Sequence, residues 1–223
     1  MGLPPSDAIG GGMIRLFASL LAALLIAFLL PPFAAGAQER HMSVRLVAES
    51  VIPRSGGEVA IALVMTPQPG WHGYWLNTGD AGTPDRIQWT LPGGTALSSL
   101  AYPVPERLVV AGLMNYVYSQ PYALIGRLRL PPRLKPGTPL RLAASIDYLV
   151  CSDTLCVPEK ADVALDLTAG GGGIDPAMRA RFDTWRAALP RPLGAASRFA
   201  LRGDSRLALA VPLAGTEQIG SAD

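Results

Sequence analysis

Apolar and polar residues alternate with a period of two along much of this chain from residue 43 onward. Val44, Leu46 and Ala48 occupy every second position, for example, with Arg45 between the first two. This period is typical of half-buried β-strands, whose side chains point to opposite faces in turn. On this basis strands are predicted at residues 43–48, 59–65, 71–77, 87–91, 97–102, 122–130, 140–150 and 161–167.

One apolar segment, residues 107–118 (RLVVAGLMNYVY), does not give a single answer. Gly112 and Asn115 interrupt it. A strand, a bulge and a second strand would fit the pattern, since glycine inside a strand often marks a bulge. A loop that carries exposed apolar side chains would fit it equally well.

The predicted strands number eight or nine, and glycine and proline clusters separate them at regular intervals. No helical pattern occurs among them. Short strands at this spacing predict an all-β fold, an immunoglobulin-like antiparallel β-sandwich. The aromatic residues of segment 71–77 are predicted to fill its core, as clustered Trp and Tyr usually do.

A helix is predicted after the strands. Residues 170–173 are four glycines and form a flexible linker, and Asp175-Pro176 then supplies an N-cap followed by a first-turn proline. The apolar stripe of this helix consists of Met178, Phe182, Trp185 and Leu189. The linker and helix cover residues 170–192, and residues 193–223 contain a predicted hairpin. About thirty residues cannot fold alone, so we expect them to begin a second domain of a longer protein.

The N-terminal residues predict the compartment. A short basic start at residues 13–15 precedes an apolar run at residues 16–30, and Ala35-Gly36-Ala37 supplies a small-residue cleavage pattern. This is typical of a secretory signal peptide that is cut after Ala37. An uncleaved membrane anchor is the alternative. Residues 1–12 read as an upstream extension, and residues 38–169 as the sandwich domain in an oxidising, periplasmic compartment.

Charge and composition exclude several functions. The net charge is +2, which gives no support for a nucleic-acid partner. The only histidines, His41 and His72, lie far from both cysteines in sequence, so a four-ligand zinc site has little to build from, and no metal or other cofactor is expected. Hydrolase chemistry is poorly supported, because the chain has no Gly-x-Ser-x-Gly motif.

The only two cysteines, Cys151 and Cys156, have four residues between them. In a straight strand, residues five apart lie roughly 16 Å apart, whereas a disulfide needs Cα atoms about 4.4–6.8 Å apart. A bond between them therefore requires the chain to reverse, and residues 152–154 (Ser-Asp-Thr) are suitable turn residues.

Two roles for such a bond are open. A structural disulfide is common in secreted proteins. A disulfide that closes a loop this short, however, stabilises the fold by only about 2 kcal/mol. A reversible dithiol pair needs this closeness, because each sulfur must resolve a mixed disulfide on the other. We favour a redox role for the Cys151–Cys156 pair. An adaptor module with a structural disulfide and a copper-handling protein that uses both cysteines and Met114 remain alternatives.

Four motifs together resemble the N-terminal periplasmic domain of DsbD-type thiol:disulfide interchange proteins. The nearest likeness is to the ScsB-like branch, which is associated with suppression of copper sensitivity. The motifs are residues 70–82 (GWHGYWLNTGDAG), residues 105–107 (PER), residues 112–116 (GLMNY), and DYLVC at 147–151 with CVP at 156–158. The likeness extends over about residues 51–168.

This resemblance implies an immunoglobulin-like domain with a redox pair at one edge. It implies that electrons come from a membrane-embedded domain and pass to thioredoxin-fold periplasmic partners, as in a protein-disulfide reductase. Cys156 would be the attacking sulfur and Cys151 the resolving one. A shielding loop would cover the pair, here Leu113, Met114, Asn115 and Tyr116, within residues 110–118. The aromatics expected near the site are Tyr74, Trp75 and Tyr148.

Neither cysteine has a Lys, Arg or His next to it in sequence to lower its thiol pKa, and Asp153 would raise one. We therefore expect an ordinary or raised thiol pKa, with reactivity that a partner switches on. The sequence leaves open whether the chain is an enzyme by itself, which partner it meets and which way electrons flow.

Overall fold

The computed structural model describes residues 40–203 and 206–213. The predicted signal peptide lies outside these residues. Within the described residues, ten β-strands, one helix and a two-stranded hairpin follow one another. The strands of the sandwich region are β1 (Met42–Ala48), β2 (Glu58–Pro67), β3 (Gly73–Gly79), β4 (Arg86–Thr90), β5 (Ala96–Leu97), β6 (Glu106–Val110), β7 (Leu113–Tyr118), β8 (Tyr122–Arg129), β9 (Pro139–Cys151) and β10 (Cys156–Thr168).

Three antiparallel sheets arise from these strands. Their strand orders are β1-β2-β8-β5, β10-β9-β4 and β3-β7-β6. The first two pack face to face, and their inner side chains form one core that includes Ile61, Leu63 and Leu124 from the first sheet and Leu142 and Ile146 from the second. The fold is therefore mostly β and antiparallel, as the period-two pattern predicted.

Segment 107–118 is a β-hairpin, so neither predicted alternative is right in detail. Strands β6 and β7 pair in register from Glu106 with Val117 to Val110 with Leu113. A two-residue turn joins them, with φ of 50° at Ala111 and 81° at Gly112. Two consecutive positive φ values are the geometry that suits a tight hairpin between twisted strands.

Strand bounds differ from the prediction in three places. The aromatic strand begins at Gly73 and is irregular between Tyr74 and Gly79, where its register with β7 shifts. The strand predicted at residues 97–102 is only Ala96–Leu97, followed by an isolated bridge from Ala101 to Ile125. The last strand begins at Cys156, because Val157 to Ala161 continue the ladder with β9.

The predicted helix is confirmed as α1 (Pro176–Ala187). The Asp175 carboxylate accepts hydrogen bonds from the backbone N–H groups of Ala177 and Met178, at 2.9 and 3.1 Å. These bonds satisfy two donors that would otherwise be unpaired at the helix start.

Helix α1 packs on the outer face of the first sheet. Phe182 is fully buried there among Ala62, Val64, Ala123 and Ile125. The alanines matter, because small side chains on the outer face let the helix approach closely. The side chain of Arg186 also pairs with the buried carboxylate of Glu49 through both of its terminal nitrogens.

The remaining strands, β11 (Arg198–Arg202) and β12 (Arg206–Ala210), pair as the predicted hairpin. Phe199 lies opposite Leu209 and Leu201 opposite Leu207, and all four side chains are largely exposed on one face.

Candidate functional site

The site is built on the long hairpin of β9 and β10. Cys151 and Cys156 are direct cross-strand partners at its tip, where they form a disulfide with Cα atoms 4.1 Å apart. Beyond them the chain reverses as expected, since the Ser152 N–H donates to the Leu155 carbonyl at 2.8 Å. Cross-strand residues next to such a hydrogen-bonded pair approach to about 4.5 Å between Cα atoms, which lets the sulfurs meet.

The two sulfurs have different environments. Cys151 is only 1% exposed, whereas Cys156 is exposed to solvent. The difference follows from position, because Cys151 ends a buried strand while Cys156 follows the exposed turn that contains Leu155. Of the two cysteines, Cys156 is therefore the one that is open to solvent.

Tyr74 is hydrogen-bonded to the buried sulfur of Cys151. Its O–H group donates a hydrogen bond to Cys151 Sγ at 3.2 Å, and the ring is 4% exposed. Burial raises the pKa of Tyr74 above its ordinary value of 10.0, so the phenol keeps its proton throughout the range in which a thiol titrates.

The GDAG segment that follows β3 positions Tyr74. A Cβ atom at Gly82 would lie 2.4 Å from Tyr74 Cε1, and the φ of Gly82 is +94°. Only glycine leaves room for the ring there and adopts this backbone conformation without strain. Asp80 in the same segment is bonded to β7, since its N–H donates to the Met114 carbonyl and its carboxylate accepts from the Met114 N–H, each at 2.8 Å.

His72 is also part of the site, although it is far from both cysteines in sequence. It forms an antiparallel β-bridge with Cys151, through backbone hydrogen bonds of 2.8 and 3.0 Å, and is 6% exposed. Sequence reasoning missed this pairing, because no local pattern reports which strand segment faces the cysteine.

The third sheet covers the buried sulfur. Val117 of β7 packs with Tyr74 and Cys151 in a small apolar cluster, and Leu108 of β6 and Leu149 pack against it. The contribution of the β6–β7 hairpin to this cluster therefore comes from the body of the hairpin and not from its turn.

The predicted shielding residues lie in β7 itself. Leu113 is exposed next to the turn, and Met114 is bonded to Asp80. Asn115 is buried, and its Oδ1 atom has no hydrogen-bond partner among the described residues. The ring of Tyr116 meets Trp75 edge to face, 5.7 Å between centroids. Their shielding role stays a prediction.

The other two predicted aromatics, Trp75 and Tyr148, pack with the sandwich core, whereas Cys151 belongs to the smaller cluster of Tyr74 and Val117. Trp75 alternates with Tyr74 and so belongs to the opposite face of β3. The Tyr148 O–H donates to the buried carboxylate of Glu159 at 2.9 Å, and the same carboxylate accepts from His41 through its backbone N–H and its ring. This network ties the start of β1 to the cysteine hairpin.

Another polar group, Asp85, is half-buried, with its Oδ2 atom enclosed by the protein. Burial raises the pKa of Asp85 to about 7, and its Oδ2 atom has no partner among the described residues. Asp85 and Tyr102 border a largely apolar surface depression with Trp89. Sequence reasoning did not single out this carboxyl group.

Two further observations concern the described part of the chain. It contains no group of three or more His, Cys, Asp or Glu side chains arranged to hold a metal ion. Residues 40–203 and 206–213 also include no helix that is long and apolar enough to cross a bilayer.

Comparison with known proteins agrees with both the fold and the family resemblance of the sequence motifs. Residues 43–168 match the family described as thiol:disulfide interchange protein DsbD, N-terminal. The chain is similar in structure to the N-terminal periplasmic domain of ScsB from Proteus mirabilis, with a TM-score of 0.54 and 23% identity, over 78% of this chain and 64% of that one. At this identity the likeness shows the fold.

Two solved structures from Neisseria meningitidis are also similar. The reduced DsbD N-terminal domain has 16% identity and a TM-score of 0.28, over 65% of this chain and 94% of that one. The complex between the DsbD and PilB N-terminal domains has 16% identity and a TM-score of 0.30, over 66% and 93%. No curated protein sequence matches the chain.

Proposed function

We propose that this chain, which belongs to the family of N-terminal domains of the thiol:disulfide interchange protein DsbD, is a periplasmic module that relays reducing equivalents. In this proposal the Cys151–Cys156 pair receives electrons from a membrane-embedded electron-transfer domain and passes them to thioredoxin-fold partners. The predicted secretory leader and the family membership support the compartment.

The observation that carries the proposal is the unequal exposure of the two sulfurs. Disulfide exchange needs one sulfur that an incoming thiolate can reach and a second that leaves and later returns. Cys156 is exposed, and Cys151 is buried against Tyr74 and Val117. The geometry therefore supports Cys156 as the sulfur that bonds to a partner and Cys151 as the resolving sulfur.

The surroundings of Cys151 suit the leaving sulfur. When a thiolate attacks Cys156, the electron pair of the broken S–S bond goes to Cys151 Sγ. A buried thiolate is costly unless a donor reaches it, and Tyr74 supplies one at 3.2 Å. Tyr74 thus lowers the barrier to opening the bond without exposing the sulfur.

Trapping a partner tests the relay. In Cys151→Ser the resolving sulfur is absent, so Cys156 should accumulate a mixed disulfide with a periplasmic thioredoxin-fold protein. Cys156→Ser is the matched control, and it should trap nothing because its remaining sulfur is buried. If the two variants capture equally, or neither captures, the relay is refuted.

The reduction potential separates the relay from a structural staple. A bond that opens in glutathione buffers supports exchange, whereas a value below about −300 mV indicates a staple. In the second case the chain would be a periplasmic adaptor whose disulfide only fixes the hairpin tip.

We also propose that residues 193–223 begin a second domain. The four large apolar side chains exposed on one face of the β11–β12 hairpin support this, since an isolated hairpin with such a face does not fold stably by itself.

A further inference from the structure

The backbone pairing of His72 with Cys151 puts their two side chains on the same face of the sheet. The two residues exchange both backbone hydrogen bonds of an antiparallel pair. Side chains of such a pair project from the same face of the sheet, with Cβ atoms about 5 Å apart. Tyr74, two residues on from His72, confirms which face this is, because its O–H reaches Cys151 Sγ.

The groups around His72 set its charge. The ring meets Tyr74 edge to face, at 5.5 Å between centroids. Burial lowers the pKa of His72 below 6.5, and this outweighs the opposite effects of Asp153 in the cysteine turn and Glu106 of β6. Near pH 7 the imidazole is therefore neutral, and one of its two ring nitrogens is unprotonated and can take a proton.

Closure of the disulfide requires such an acceptor. Cys151 must lose its thiol proton before its sulfur can attack, and at 1% exposure it has little access to water. We propose that His72 is the proton acceptor for the Cys151 thiol when the disulfide closes, an assignment that rests on the exchange function proposed above.

The step balances as follows. In the mixed disulfide, Cys156 is bonded to a partner sulfur and Cys151 is a thiol. The Cys151 proton moves to His72, the freed electron pair of Cys151 Sγ forms the S–S bond with Cys156, and the bond to the partner breaks. The partner leaves as a thiolate, which the imidazolium or solvent then protonates. The cysteine pair is oxidised by two electrons, and the partner's disulfide is reduced to two thiols.

A two-step reaction with a chromogenic disulfide tests this assignment. The reduced full chain is mixed with one equivalent of dithionitrobenzoate, and release of the coloured thiolate is followed by stopped flow. The first release reports attack by Cys156, and the second reports closure by Cys151. In His72→Gln the second release should slow about 100-fold at pH 7, as expected for loss of a general base, while the first stays unchanged.

Two outcomes would overturn the assignment. In one, both releases slow equally, which indicates a structural role for His72. In the other, the second release keeps its wild-type rate. Failure of the exchange function is distinguishable, because it is read from the absence of a trapped partner in Cys151→Ser, whereas the releases from dithionitrobenzoate need only reactive thiols. His41→Gln is the matched control. The His41 ring is hydrogen-bonded to Glu159, so we expect this variant to leave both releases unchanged.

A pH profile gives a readout that a structural role would not move. The second release should lose rate at low pH as His72 becomes protonated. The Glu106 carboxylate raises the pKa of His72, so Glu106→Gln should move this limb to lower pH. Glutamine keeps an oxygen that can accept the Ser119 hydroxyl, which bonds Glu106 in the wild type. If the rate of the second release falls at the same pH in Glu106→Gln as in the wild type, the proposal is contradicted.

Discussion

Replacement of Tyr74 by phenylalanine removes the hydrogen bond from the phenol to the buried sulfur of Cys151. The thiolate of Cys151 is stabilised by this bond far more than the thiol is, because a hydrogen bond to a charged group contributes about 1.5–3 kcal/mol. At 1.36 kcal/mol per pKa unit, its loss should raise the pKa of Cys151 by about 1–2 units. Phenylalanine fills nearly the same space, so the apolar cluster around the sulfur should persist.

The measurement needs a single thiol. Cys156→Ser leaves Cys151 as the only cysteine of the chain, and a carbon-13 label on its β carbon reports ionisation by NMR as the pH is raised. The control is Tyr116→Phe, since that ring meets Trp75 on the other face of the sheet. An unchanged or lower pKa in Tyr74→Phe refutes the reasoning, because it means the phenol does not act on the thiolate.

Three further predictions concern stability and pH. Phe182→Ala should lower the free energy of unfolding by about 3–5 kcal/mol in urea titrations, whereas Leu201→Ala in the exposed hairpin should change it by less than about 0.5 kcal/mol. Gly82→Ala should destabilise the fold through its contact with the Tyr74 ring, and a smaller residue at position 74 should relieve part of that loss in a double-mutant cycle. Asp85 has a folded-state pKa of about 7 against 3.8 for the free group, so the native state binds the extra proton and stability should fall as pH rises from 4 to 7; thermal unfolding of Asp85→Asn should show a flatter dependence.

Much of the fold follows from local patterns. The alternation of Val59, Ile61 and Leu63 with small residues predicted a strand, and the structure gives both faces of that strand a partner, the sandwich core and helix α1. The helix start was predictable because Asp175 and Pro176 act on the nearest backbone groups. Reversal of the chain between the cysteines was predictable from the reach of a disulfide alone.

The candidate site was predictable only in part, because its contacts join segments far apart in sequence. The Tyr74 O–H and Cys151 Sγ belong to residues 77 positions apart, and no periodicity reports such a pairing. His72 was missed for the same reason. The resemblance to a known family directed attention to the GLMNY motif, yet the hairpin residues in or against the cluster around Cys151 are Val117 and Leu108.

The GDAG segment at residues 79–82 has two structural roles. Gly82 accommodates the ring of Tyr74, while Asp80 fastens strand β7 through both of its Met114 hydrogen bonds. The position of β7 over Cys151 and the position of the Tyr74 phenol beside its sulfur thus depend on the same short segment. We expect any displacement of the β6–β7 hairpin that exposes Cys151 to disturb the Tyr74 phenol as well, so that access to the disulfide and its reactivity change together.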